Sequence, residues 1–260
     1  MKKWLFVVVT FVLILFIVLS VQSEQLPSNK WLFKQTLYSQ LTTDTQLSVE
    51  GYTNHTSLYA DVDAIETIYL SSLDEHQKLV PKTIDIKTYG RYTYLGDRYN
   101  KVVFLLELPK LEVDYYIKTC YLTILLKNGD KLQASIGRLS LMKPSEEQEL
   151  SIYNQYGDNA DEGTFLTQIV LDISVKRPVT IESVCYTVNH CVPILNTIQS
   201  QNSVAIDIEP DLFYYQKTSL RIFYTLEGTL YAQTIDTFLY FEPMSTVIPE
   251  NSLNRIYVID

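Results

Sequence analysis

Along most of the chain, apolar and polar residues alternate in short runs divided by turn residues. Leu122, Ile124 and Leu126 share one face of such a run, Asn128-Gly129 follows, and Leu132, Ala134 and Ile136 share a face of the next. A period of two marks a half-buried strand, and Asn-Gly between two such runs marks a hairpin. The same pattern predicts strands at 46–52, 64–71, 84–89, 101–107, 117–127 and 131–140, then at 164–175, 179–187, 203–208, 218–226 and 229–241. Two stretches depart from it. Trp4–Val21 is an apolar run in which only Thr10 and Ser20 are polar. Between Ser28 and Leu41, the apolar positions Phe33, Leu37 and Leu41 are four apart, which reads as a short helix capped by Ser28 or as a simple tether.

One pattern occurs twice. Tyr115-Tyr116-Ile117-Lys118-Thr119 returns as Tyr214-Tyr215-Gln216-Lys217-Thr218. Upstream, Ile65-Glu66-Thr67-Ile68 is echoed by Ile181-Glu182-Ser183-Val184, and Val80-Pro81 by Val192-Pro193. The tyrosine pairs are 99 positions apart, whereas 98 brings Leu122 onto Leu220 and Ile124 onto Ile222. One extra residue near Cys120, in the form of a β-bulge, reconciles the two spacings. Matching segments in the same order indicate a duplicated unit of about 100 residues. Short strands at regular spacing in a unit of that size predict an all-β chain: two tandem immunoglobulin-like antiparallel β-sandwich domains after an N-terminal hydrophobic helix.

The corresponding plan is a signal peptide or membrane anchor at 1–23, a juxtamembrane tether at 24–43, a first sandwich at 44–142 and a linker at 143–149. A second sandwich then spans 150–243, and 244–260 forms a tail in which Ile256-Tyr257-Val258 adds an edge strand. The architecture hosts many unrelated functions, so it implies none by itself.

Charge bears on compartment and partner. Lys2 and Lys3 before the apolar run read as an export signal that leaves them inside and the remaining chain outside. The run has 18 residues, between the length of a cleaved signal core and that of a spanning helix, so cleavage and anchoring both stay open. The net charge of −9 becomes −11 once residues 1–23 are set aside, which excludes nucleic acid and other polyanions as partners. A protein or glycan at the cell surface is the expected partner, with the membrane itself contacted through residues 4–21 if they are retained.

Candidate chemistry is sparse. Relative to the second unit, the first carries an insert centred on Thr88–Tyr99, with Tyr89, Arg91, Tyr92, Tyr94, Arg98 and Tyr99 among glycine turns. Tyrosine and arginine dominate binding hot spots, so these six residues are the candidate contact; the plainer reading is an extra hairpin in which aromatics suit the strands. Cys185 and Cys191 enclose five residues and form either a disulfide or two reduced thiols, while Cys120 reads as a small buried hydrophobe. Asp158–Gly163 looks briefly like a calcium loop, but Ala160 and Ile169 stand where ligands are needed. His55, His76 and His190 form no metal-binding pair, and there is no nucleophile elbow or phosphate-cradling loop. The expectation is a non-enzymatic binding or spacer protein with no catalytic residue, metal or cofactor. The alternatives are an extracytoplasmic accessory subunit of a membrane complex and a hydrolase using two carboxylates.

Overall fold

The computed structural model describes residues 29–145, 149–158, 166–208, 214–215, 217–239, 248, 250 and 254–259. The apolar run 4–21 and residues 159–163 of the calcium-like loop lie outside them. The chain lays down β1 (Asn29–Lys34), β2 (Thr36–Leu41), β3 (Gln46–Thr53), β4 (Ile65–Ser71), β5 (Lys78–Leu79), β6 (Thr83–Tyr94), β7 (Asp97–Glu107), β8 (Tyr115–Leu126) and β9 (Lys131–Met142). There follow β10 (Leu150–Asp158), β11 (Gln168–Val175), β12 (Val179–Thr187), β13 (His190–Ile198), β14 (Gln201–Asp207), β15 (Tyr214–Tyr215), β16 (Lys217–Leu226), β17 (Thr229–Leu239) and β18 (Asn254–Ile259).

Two sandwiches result. The first packs sheet β18-β1-β3-β7-β6 on sheet β15-β2-β9-β8-β4-β5; the second packs β10-β11-β14 on β13-β12-β16-β17. Trp31, Phe104, Ile124 and Leu139 lie in the first core, and Ile173, Ile181, Ile222 and Tyr224 in the second. In the first domain the leading strand divides: β1 joins one sheet, and β2 crosses to the other to run parallel to β9. That split, with every other pair among β1 to β9 antiparallel, is the immunoglobulin-like plan. The register of β8 against β9 shifts at Cys120, where the duplicated pattern needs its extra residue.

The reading of 24–43 as a tether, or as a helix from Ser28 to Leu41, is overturned: from Asn29 the segment is β1 and β2. Trp31 and Phe33 enter the first core, Leu32 joins a cluster on the opposite face, and Leu37 enters the second core. A strand buried on both faces loses its polar alternation, which removes the signal that period-two reading depends on. The first domain therefore starts at Asn29, not at 44. The tail also departs from its expected place. Its strand β18 forms, but it pairs with β1 of the first domain rather than extending the second.

The domains meet tail to tail. The β9 end, the β8 start and the β2 end of the first face the β12–β13 turn and the β16 start of the second. Val188 N–H donates to Ser140 Oγ at 2.9 Å, and Ser219 N–H to Ser39 Oγ at 3.2 Å. Both Arg221 Nη atoms donate to the Asp114 carboxylate, at 2.7 and 2.8 Å, and Nη2 also reaches the Lys143 carbonyl at 2.9 Å. Leu41 and Met142 pack with Cys185, Val188 and Phe223, and β15 adds in parallel to β2. Ser145 and Thr234 exchange two bonds, N–H to hydroxyl each way, at 2.6 and 2.7 Å, so this part of the linker lies against β17. The β16–β17 turn is thus the point of the second domain far from the first.

Candidate functional site

The tyrosine- and arginine-rich insert is the upper part of the β6–β7 hairpin. Leu95 and Gly96 both have positive φ, 49° and 81°, between the paired Tyr94 and Asp97. That is the geometry a two-residue hairpin turn requires, and it was not evident from Leu-Gly, since leucine rarely adopts it. The Asn128-Gly129 turn, by contrast, has only Gly129 at positive φ and is longer than two residues.

The six candidate residues separate into two groups. Tyr94 and Tyr99 are buried and Tyr92 is half-buried; they pack with Leu32, Tyr52 and Ile248 on the outer face of the β1-β3-β7-β6 sheet. The Tyr52 and Tyr92 rings meet edge to face at 5.3 Å, and those of Tyr94 and Tyr99 at 6.5 Å. Ile248 N–H donates to the Thr93 carbonyl at 3.0 Å, so these tyrosines hold a segment of their own chain. Burial pushes the Tyr99 phenol up from its ordinary value. Tyr89, Arg91 and Arg98 instead face solvent. The β6 register shifts between Thr88 and Arg91, and Tyr89, in that irregularity, is 50% exposed.

The end of the first domain that carries this hairpin tip also carries the β3–β4 loop and the β8–β9 turn, because β3, β6 and β8 end there. Its outermost apolar side chains are Leu58 and Val62 of the β3–β4 loop, 55% and 51% exposed, and Leu95, 56% exposed. Sequence reasoning did not single out these three residues; isolated hydrophobes between polar neighbours carry no periodic signal. Ser57 fixes the loop by capping a single 3-10 turn at Leu58–Ala60, its hydroxyl accepting from Tyr59 N–H at 3.3 Å. Asn54 Oδ1 accepts from Lys30 N–H at 2.7 Å and ties the loop to β1. Lys30 Nζ reaches Asp97 at 2.9 Å, and that hydrogen bond raises the lysine pKa.

An open cleft of about 770 Å³ lies beside this end, between β18 and the first half of β9. It exists because β2 covers β9 only from Gly137 onward. At Ser135 side chains replace a neighbouring strand: the N–H donates to the Tyr257 hydroxyl and the carbonyl accepts from Gln35 Nε2, both at 2.8 Å. His55, Tyr59, Asp130, Lys131 and Gln133 are among the lining residues. Burial lowers the His55 pKa and raises that of Tyr59. Asp130 is the only carboxylate among the described lining residues, which leaves the two-carboxylate hydrolase without a pair there.

Cys185 and Cys191 are joined in a disulfide across directly paired positions of β12 and β13. The Cys120 thiol is buried, and desolvation pushes its pKa far up, away from nucleophile chemistry. Among the described residues no group of three His, Cys, Asp or Glu side chains could hold a metal ion. Among those residues, too, no helix is long and apolar enough to cross a membrane.

No protein-family model and no curated protein matches the chain. Among solved structures it is similar to the titin domains Z1Z2 in complex with telethonin, at 11% identity, covering 84% of this chain and 98% of that one, with a TM-score of 0.22. At that score the likeness carries no argument. Strand order and pairing establish that the described residues form two immunoglobulin-like β-sandwiches.

Proposed function

We propose that the chain is an exported, membrane-anchored, non-enzymatic cell-surface protein whose two sandwiches act as one stiff binding or spacing unit. The supporting observation is the short interval between the apolar run and the fold. Val21 ends the run and Asn29 starts β1, so seven residues intervene, with a reach of about 24 Å when fully extended. A domain held that closely presents its far end outward at a set height, and the tail-to-tail junction keeps the second domain from swinging. Tyr89, Arg91 and Arg98 are the polar and aromatic groups of the insert available to a partner.

Fractionation of cells expressing the full chain tests the anchor. The chain should stay in the membrane pellet after alkaline carbonate and be degraded by protease added outside. Recovery as a soluble exported species lacking residues 1–23 would remove the anchored reading. The short interval also favours a second reading, an accessory subunit of a membrane complex, because it keeps the first domain within reach of neighbouring membrane proteins. Crosslinking in intact cells to one stoichiometric membrane protein would select that reading.

A further inference from the structure

The loop end of the first domain is the end at which the chain leaves toward its apolar run. Trp31, Thr53 and Asn100 lie level across β1, β3 and β7. Asn29 is two positions beyond that level, and Gly96 of the hairpin turn is four beyond it. The Leu95-Gly96 turn therefore projects about 7 Å past the first residue of the fold. Leu58 and Val62 stand on the loop at this same end, so three exposed apolar side chains occupy the end at which β1 begins.

Charge agrees with the placement. Among the described residues, Lys30, Arg91, Arg98, Lys127 and Lys131 at this end balance Asp61, Asp63, Glu66, Asp97 and Asp130, whereas the exported chain as a whole carries −11. This end is therefore repelled less by anionic lipid than the chain's overall charge implies. Tyrosine, with arginine reaching outward along its stem, is suited to the boundary between hydrocarbon and headgroups.

We propose that Leu58, Val62 and Leu95 seat the first domain on the lipid surface to which the chain is anchored, with Arg91 and Arg98 meeting headgroup phosphates. The proposal rests on the anchored reading. It goes further by assigning a lipid-binding face to loops far from the apolar run in sequence.

The test uses the full chain reconstituted in vesicles of phosphatidylcholine and phosphatidylglycerol. An environment-sensitive fluorophore is placed at L58C, L95C or, as a control on the distant β16–β17 turn side, L230C, where the native leucine is 63% exposed. Native Cys120 is buried and Cys185 and Cys191 are bonded, so labelling goes to the introduced thiol. Nitroxide lipids should quench the labels at 58 and 95 several-fold more than the label at 230. A chain that floats with the vesicles but shows equal quenching at all three sites overturns the lipid-seating proposal and leaves the anchor standing. A chain that does not float overturns the anchored reading and the proposal with it. Shielding at 58 and 95 in native membranes but not in protein-free vesicles assigns the face to a membrane protein and also overturns the proposal.

Discussion

Gly137 stands where no side chain fits. Its φ is 118°, and the backbone N and O of Thr36 occupy the space a Cβ would need. The parallel β2–β9 pair begins at that contact, with Thr36 opposite Gly137. Gly137→Ala is expected to destabilise the chain by about 2–4 kcal/mol through backbone strain and lost pairing, read by urea unfolding. A change below about 0.5 kcal/mol, the range of a neutral surface substitution, would show that β2 yields without cost. The Asp114–Arg221 pair acts at the same scale. The guanidinium hydrogen bonds hold the Asp114 carboxyl below its ordinary 3.8, against a smaller opposing effect of burial. A carboxylate depressed in the folded state stabilises fully above its unfolded value and loses that contribution as pH falls through the folded one. Asp114→Asn should therefore cost about 1–2 kcal/mol near neutral pH and progressively less below pH 3.8, in parallel acid-unfolding curves. An equal cost at every pH would assign the effect to packing rather than charge.

Elements show where sequence reading succeeds and where it stops. Strands with one wet face, such as β8, β9, β16 and β17, declared themselves by alternation. So did the bulge at Cys120, because duplication supplied an internal ruler. Several strands stayed hidden, β10 among them. β1 and β2 are covered on both sides, by two cores and an outer cluster, so Trp31-Leu32-Phe33 shows no alternation. β13 does alternate in exposure but was concealed by Pro193, which the edge position of β13 permits. The candidate contact residues were legible only as a composition. Alternation along β6 and β7 puts Tyr94 and Tyr99 on the outer face of the sheet, where Ile248 covers them, and the exposed Arg98 on the other face beyond the end of the core, and the irregularity at Tyr89 could not be placed from Gly90 alone. Two predictions belong here. Reducing the Cys185–Cys191 bridge, or replacing both with serine, should cost about 2 kcal/mol through the seven-residue loop it closes, read by thermal melts with and without reductant. Identical melts would mean the β12–β13 hairpin is held wholly by its ladder. Ending the chain after residue 253 removes β18 and with it Tyr257 and Ile259, which pack on the first core. That truncation should destabilise the first domain by about 2–4 kcal/mol, given two partly buried large side chains and the lost pairing to β1. Hydrogen exchange should place the loss on β1; unchanged protection there would contradict the role given to β18.

For the whole molecule, the arrangement of the two sandwiches matters more than their separate plans. Duplication predicted two units but not their orientation, because the contacts that set it are single side chains: Ser39, Asp114, Ser140, Arg221. A tail-to-tail junction leaves the loop ends of the two domains at opposite extremes. One extreme carries Leu58, Val62 and Leu95, and the other carries the ion pairs of Arg177 with Glu149 and Glu227. Small-angle scattering of residues 24–260 should fit a single elongated shape at neutral pH. A broad distribution of domain separations would show that the junction does not hold.

Strand β18 has a consequence for the order of assembly. The sandwich synthesised first borrows a strand encoded after the second, so it cannot reach its final edge until the ribosome has passed through its neighbour. Completion runs opposite to translation: the leading half waits, with β1 uncovered, for material delivered by the trailing half. The two halves consequently cannot be exchanged as independent cassettes at the linker, even though the gene reads as a tandem copy.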